Sequence, residues 1–409
     1  VASGLLVNFY LAIVARRLAA ADYAHFGAFW SVALLVGFGV FLPIEQETAR
    51  LQQTPGRPGR IVRSALGTAL ALAAGELVLL GAAAPLLLRA FGGSVGTLVA
   101  LSVLCLVSAG QFVVRGTLIG LDRLRYHAAL MLADGALRVA CATLVALAVP
   151  GPDVTAFAWT LVAAIALAHA PTLLRLSARR VRAGTGVPPF GPGVVTSAAV
   201  RAAVGPLLLG SLCGQLLLNG PPVLVPAVAA GPAEATLAGQ FVAAFTLARI
   251  PLFLVVPLQT ALLPTLTGLL HDGERRALGR VLTALGAGVA GLAVLGALIG
   301  LLAGPPLLGL IFGARYVLPG ADVALLAVGV AGYIGLVLMT QVLVAARRHR
   351  QVGVCWLAGL GAATGVVLVV PALLPRAEWA FVVGSGVALM VSVGAVLAPW
   401  RGREPVDAH

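Results

Sequence analysis

Twelve apolar stretches, each close to the roughly 20 residues that a helix needs to cross a bilayer, follow one another along this chain. They lie near 1–18, 26–45, 64–87, 97–119, 128–149, 156–175, 200–220, 237–260, 282–303, 322–345, 352–371 and 379–399. In hydrocarbon every backbone N–H and C=O must find its partner within the protein, so a run of such stretches folds as helices. Composition agrees. With 60% hydrophobic and 10% charged residues and a mean hydropathy of +1.04, 409 residues carry more apolar surface than a water-soluble fold hides. The fold class expected is all-α, a polytopic membrane protein of about twelve transmembrane helices.

The net charge of +13 comes from 27 basic residues, every one an arginine. They cluster between the apolar stretches, the pattern of the positive-inside rule and not of a nucleic-acid-binding face, so no nucleic-acid partner is expected. Taking the connections alternately, twenty arginines fall on one side, Arg115 counted among them. Five fall on the other: Arg16, Arg17, Arg89, Arg315 and Arg376. Arg138 and Arg249 lie inside stretches. This alternation places both termini in the cytoplasm. The composition, without lysine and rich in Ala, Gly, Val and Leu, fits a GC-rich bacterial genome. No secretory cleavage pattern precedes the first stretch, and with Val1 in place of Met a short native N-terminus is expected to be missing. The four cysteines stand apart within apolar segments and the six histidines show no ligand spacing, so neither a disulfide framework, a metal site nor a cofactor is expected.

The chain also repeats itself. Pro85–Gly92 recurs as Pro306–Gly313, and Asp22, Gly27 and Phe29 recur at the same spacing as Glu234, Gly239 and Phe241; Arg123 and Arg125 match Arg348 and Arg350. Because each half holds an even number of helices, the two six-helix repeats are parallel, related by an axis along the membrane normal. The expected halves are 1–186 and 187–409, joined by an arginine-, glycine- and proline-rich linker at about 176–193.

An ionisable side chain at the bilayer centre costs roughly 2.5–3.5 kcal/mol on insertion scales and needs a reason to be there. Arg249 falls near the middle of the eighth stretch with no acid three or four residues away, and Pro251 and Pro257 should break its helix. Its partner comes from another helix, Glu76 or Asp134 in a structural role, from water, or from a substrate phosphate, which a planar guanidinium fork suits. Asp134 and Arg138, four apart with the acid first, form an intrahelical pair that either serves the fold or presents Arg138 to a cavity. Glu76 is a lone carboxylate, read as an ion-coupling group or the partner of a buried arginine. Glu45 and Glu47 sit at the end of the second stretch, pairing with Arg50 or forming a gate; Arg16 and Arg17 snorkel to headgroups or line an outer exit. Asn8, Gln215, Asn219 and Gln240 are polar groups that tie helices together or face a cavity. Gly296/Gly300 and Gly361/Gly365 have the small-xxx-small spacing of close helix contacts.

Four segments carry a family resemblance. Ala15–Gly27 resembles the junction of the first two helices of bacterial polysaccharide-biosynthesis flippases, although Ala19-Ala20 replaces that family's Gly-Pro. Leu42–Arg50, Ala248–Leu252 with Leu263–Leu266, and Phe312–Tyr316 resemble three further segments of the same family, part of the multidrug/oligosaccharidyl-lipid/polysaccharide exporter superfamily. The resemblance implies a flippase of the bacterial inner membrane that moves an undecaprenyl-diphosphate-linked oligosaccharide or related precursor by alternating access. Arg249 and Arg138 would hold the diphosphate, Asp134 and Glu76 would support or couple, and Glu45, Glu47, Arg16 and Arg17 would gate. Expected partners are the lipid-linked sugar, membrane lipids and polysaccharide assembly proteins, with the chain itself a monomer. A cation-coupled multidrug antiporter of the same superfamily is the alternative, disfavoured by a basic cavity, and a lipid II flippase a third. A membrane-embedded glycosyltransferase or polymerase lacks support, since the chain has neither a paired-acid motif nor a large loop; no enzyme is expected.

Overall fold

The structure, a computed structural model, describes residues 2–53, 58–181, 197–346 and 348–398, with no strand among them. The first crossing is α1 (Ala2–Arg17). The second is one rod built from α2 (Ala20–Leu34), a π-helical stretch over Leu35–Phe41 and α3 (Leu42–Gln52). Single helices follow: α4 (Pro58–Ala90), α5 (Val95–Gly120), α6 (Leu124–Ala148), α7 (Val154–Val181) and α8 (Ser197–Val228). The eighth crossing is shared by α9 (Gly231–Ala248) and α10 (Leu252–His271), and α11 (Arg275–Ile311), α12 (Gly320–Ala345), α13 (His349–Val369) and α14 (Leu373–Leu397) complete twelve. Among the described residues ten rods are long and apolar enough to cross a bilayer unaided; the 16-residue α1 and the divided eighth crossing are the exceptions. Side chains such as Leu147, Leu302 and Leu368 stand exposed on the outer faces, as a lipid-facing surface requires. Residues 182–193 of the expected linker lie outside the described residues.

Two departures from regular helix shape the interior. In the second crossing Pro43 has no N–H to return to the carbonyl four residues back, and the preceding Leu35–Phe41 turn widens to π geometry. Within that stretch the Phe38 carbonyl accepts the Ser211 hydroxyl of α8 at 2.6 Å, a tie across the molecule. In the eighth crossing the helix stops at Ala248, turns through Arg249-Ile250-Pro251 and restarts at Leu252. The break expected at Pro251 is there; the one expected at position 257 is not, and α10 runs through it. A single missing N–H is tolerated inside a helix where neighbouring elements support it.

Packing is densest within two groups. In the first, α1 packs on α6, and α7 on α5 and α6; in the second, α11 packs on α12, and α13 and α12 on α14. The spacing Gly296/Gly300 does its expected work: a Cβ on Gly300 would sit 2.7 Å from the Ala324 backbone. Gly361/Gly365 does not, because that face of α13 points away from the protein and meets nothing within 4 Å. The close α13–α14 contact is made instead by Gly359 and Gly384.

Candidate functional site

Between the helices of the first half and α8–α10 of the second lies a cavity of about 390 Å³. Its walls come from the first half of α1, the π-widened second crossing, the latter half of α5, the middles of α6, α7 and α8, and the break between α9 and α10. Trp30, Phe38 and Phe112 give it aromatic faces, and Asn8, Ser108, Gln111 and Gln215 give it polar points.

Three arginines reach it, and their environments differ. Arg138 is tied along its own helix to Asp134, with Nη2 2.6 Å from Oδ2, beneath the Trp30 ring at 5.8 Å. The expected intrahelical pair is therefore present. Arg115 holds Glu45 of α3 by two contacts, Nε to Oε2 at 2.8 Å and Nη2 to Oε1 at 3.3 Å, and stacks on Phe112 at 4.8 Å. Both members are buried. This corrects two expectations: Arg115 belongs to the cavity and not to a connecting loop, and Glu45 pairs with it and not with Arg50. Glu47 is the partner of Arg50, at 2.7 Å.

Arg249 has no carboxylate. It stands at the C-cap of α9, where the last carbonyls favour a cation. Its Nη1 donates to Asn219 Oδ1 at 2.8 Å and its guanidinium lies 4.3 Å from the Phe245 ring centre. Asn219 in turn donates to Gln215, 2.7 Å away and one turn back on α8, so an amide relay fixes the arginine. Its Nε is buried with no hydrogen-bond partner among the described residues. The acids expected as its partners are engaged elsewhere or remote: Asp134 is held by Arg138, and Glu76 does not line the cavity.

Glu76 is buried in α4, neither oxygen hydrogen-bonded among the described residues, and interacts with the Cys105 thiol of α5. The arginine expected beside it is absent among the described residues. The sequence reading passed over a second carboxylate of this kind, Glu378 of α14, also buried with one unpartnered oxygen. In the sequence it stands two residues after Arg376, at the head of an apolar run, and reads there as a helix-end charge.

The cavity is shut at the end where α1 runs into α2. There α2 crosses α9. A Cβ on Gly239 would collide with the Ala20 carbonyl, and one on Gly27 with Val242, so the two glycines matched by the internal repeat are the contact points of the crossing. Alongside, Tyr316 donates its hydroxyl to the carbonyls of Ala15 at 2.8 Å and Leu18 at 3.0 Å, groups that the end of α1 leaves open. Burial pushes its pKa up, so the hydroxyl keeps its proton. Arg315 Nη1 also donates to Leu18 at 3.1 Å, and Arg16 Nε to Ile311 at 3.1 Å. Arg16, expected to reach headgroups or an exit, is thus a bolt between the two groups, whereas Arg17 is exposed and makes no polar contact among the described residues. Among the described residues no three His, Cys, Asp or Glu side chains come together as a metal site, and all four cysteines are free.

No family model matches the chain. It is 30% identical over 370 residues to uncharacterized protein Rv3630 of Mycobacterium tuberculosis (strain ATCC 25618 / H37Rv), covering 88% of this chain and 81% of the relative. Uncharacterized protein Mb3654 of Mycobacterium bovis matches to the same extent. Among solved structures it is similar to a multidrug resistance MATE family transporter of the MOP superfamily. Against the inward-facing conformation the TM-score is 0.67, at 14% identity, covering 96% of this chain and 93% of that one. Against the outward-facing conformation it is 0.61, at 16% identity, covering 97% and 92%. The MATE multidrug transporter DinF-BH gives 0.64 at 13% identity, covering 97% and 92%. The chain therefore belongs to the family of the mycobacterial protein Rv3630, and its fold is that of the MATE transporters of the MOP superfamily.

Proposed function

We propose that this chain is a transporter of the multidrug-exporter type that carries amphipathic solutes through the central cavity by alternating access. The solved structures of like fold are multidrug transporters, which favours this reading over the oligosaccharide flippase that the sequence resemblance put first. The observation that carries it is the cavity itself: aromatic and apolar walls, closed at one end by side-chain and backbone contacts between the two groups. In this reading residues 1–186 and 187–409 rock as units in a bacterial cytoplasmic membrane, with both termini inside and the shut end facing out. Glu76, a carboxylate away from the cargo, is the coupling group, and the chain acts as a monomer without enzymatic chemistry.

Charge narrows the cargo. Arg115 and Arg138 are neutralised in place, while Arg249 faces the cavity uncompensated. A cation would be repelled at roughly 5 Å by a charge worth several kcal/mol at intermediate dielectric, so the cargo is neutral or anionic. The same arginine is the specific observation that supports a second reading, transport of a diphosphate-linked lipid with polysaccharide assembly proteins downstream. Uptake of dyes into everted vesicles tests the first reading: an anionic amphiphile should accumulate, and a cationic one of matched size should not. Equal handling of both would refute the role given to Arg249. Build-up of one diphosphate-linked lipid on gene deletion, with no dye transport, would move the assignment to the second reading.

A further inference from the structure

The internal repeat makes the shut end nearly two-fold, and the two sides of it differ. On one side the α1–α2 junction meets the loop Phe312–Tyr316, and the space between is filled by Tyr23, whose ring lies 5.2 Å from that of Tyr316. On the other side the α8–α9 junction meets the loop that joins α4 to α5. At the repeat spacing Tyr23 corresponds to Ala235, and Tyr316, three residues after Gly313, to Val95, three residues after Gly92. With Ala235 in place of a tyrosine, a separate cleft of about 520 Å³ remains on this side, lined by His25, Arg89, Gly92, Gly93, Ala229 and Ala235 among others.

Two groups in that cleft keep unused hydrogen-bonding capacity: the Arg89 guanidinium and one ring nitrogen of His25. Arg89, the penultimate residue of α4, is exposed and makes no hydrogen bond or ion pair among the described residues. His25 Nδ1 lies 2.9 Å from the Ala90 carbonyl. A carbonyl only accepts, so Nδ1 carries a proton, and Nε2 is left to engage a hydroxyl, which can both donate and accept. The nearest acid on α9, Glu234, is occupied by the Ala230 N–H at 2.7 Å. A fixed cation beside an unengaged imidazole nitrogen, at the ends of membrane helices, matches a phosphate ester that carries a hydroxyl.

We infer that this cleft binds a hydroxyl-bearing phosphate ester, its phosphate on Arg89 and its hydroxyl on His25. Because the cleft is built from α2 and α4 of the first half and α8 and α9 of the second, such a ligand holds the shut end closed. The site is independent of the cargo assigned to the central cavity.

Native mass spectrometry of the purified full chain tests this, with phosphatidylglycerol, phosphatidylcholine and soluble glycerol phosphate as probes. One phosphatidylglycerol should be retained per chain about tenfold better than phosphatidylcholine, the factor expected of one charge-assisted contact. Arg89→Gln should remove that preference, and so should Ala235→Phe, which fills the cleft and leaves the charge untouched. Displacement by glycerol phosphate would identify a soluble ester as the ligand; resistance to it would identify the lipid. Retention unchanged in both variants would overturn the inference. Loss in Arg89→Gln alone would overturn it too, since it would show general attraction to a surface charge; Arg89 is exposed and its replacement leaves the fold intact.

Discussion

Replacing Tyr316 with Phe removes one oxygen and keeps the ring against Tyr23 and Phe312, so its effect isolates the hydroxyl. In the closed arrangement that hydroxyl serves two carbonyls, Ala15 at 2.8 Å and Leu18 at 3.0 Å. Leu18 keeps the Arg315 guanidinium, which leaves the Ala15 carbonyl as the group stranded by the change. A buried acceptor without a partner costs about 1–3 kcal/mol. When the shut end opens, the same carbonyl meets water and the loss costs nothing. The whole penalty therefore falls on the closed state, a shift of roughly 5- to 150-fold toward the open one.

The assay is a distance distribution between spin labels at Arg17 and Leu310, both exposed and on opposite sides of the closure, in a background where the half-exposed Cys141 is serine. The variant should gain a long-distance population at the expense of the short one. Tyr333→Phe is the control. Its hydroxyl donates to the Gly214 carbonyl at 3.1 Å, a comparable bond, but α12 and α8 both belong to the second half. That variant should melt earlier and leave the distances alone. If Tyr316→Phe shifts the populations less than about twofold, under half a kcal/mol by the same conversion, the hydroxyl is no part of the closure and the reasoning fails.

Arg249→Gln should cut transport of an anionic cargo about 10- to 100-fold, the worth of one hydrogen bond to a charged group, with protein level unchanged; Asn219→Ala, which only loosens the arginine, should cost less, as initial-rate uptake will show. Glu45→Gln strands the buried Arg115 guanidinium, a loss of about 3–5 kcal/mol, so membrane yield and melting temperature should fall where Glu47→Gln, partnered by the exposed Arg50, changes little. Gly300→Ala drives a methyl into the Ala324 backbone, 2.7 Å away, and should lower the melting temperature, while Gly365→Ala, with nothing within 4 Å, should match the parent within error.

What could be read from the chain follows from which constraints are local. Membrane helices announce themselves because lipid forbids any other way of pairing the backbone, and twelve crossings came through for that reason. The Asp134–Arg138 pair was legible because four residues along a helix fix a distance. Glu45–Arg115 is not, because the partners are 70 residues apart, and an arginine so near a helix end reads as a loop cation although it stands inside an apolar stretch. Arg249 reads as a charge in need of a partner, but an amide, Asn219, orients the guanidinium without neutralising it, so a search for carboxylates misses it.

The internal repeat shows the same division more sharply. Gly27 and Gly239 were visible as a matched pair, and their matched role follows, since a two-fold crossing needs a gap on both helices. The difference between the two sides of that crossing was also written in the chain, as Tyr23 against Ala235 and Tyr316 against Val95. It carried no meaning until the structure set those positions face to face. A repeat predicts that two places are alike; size differences within it decide which of them is packed and which is left as space.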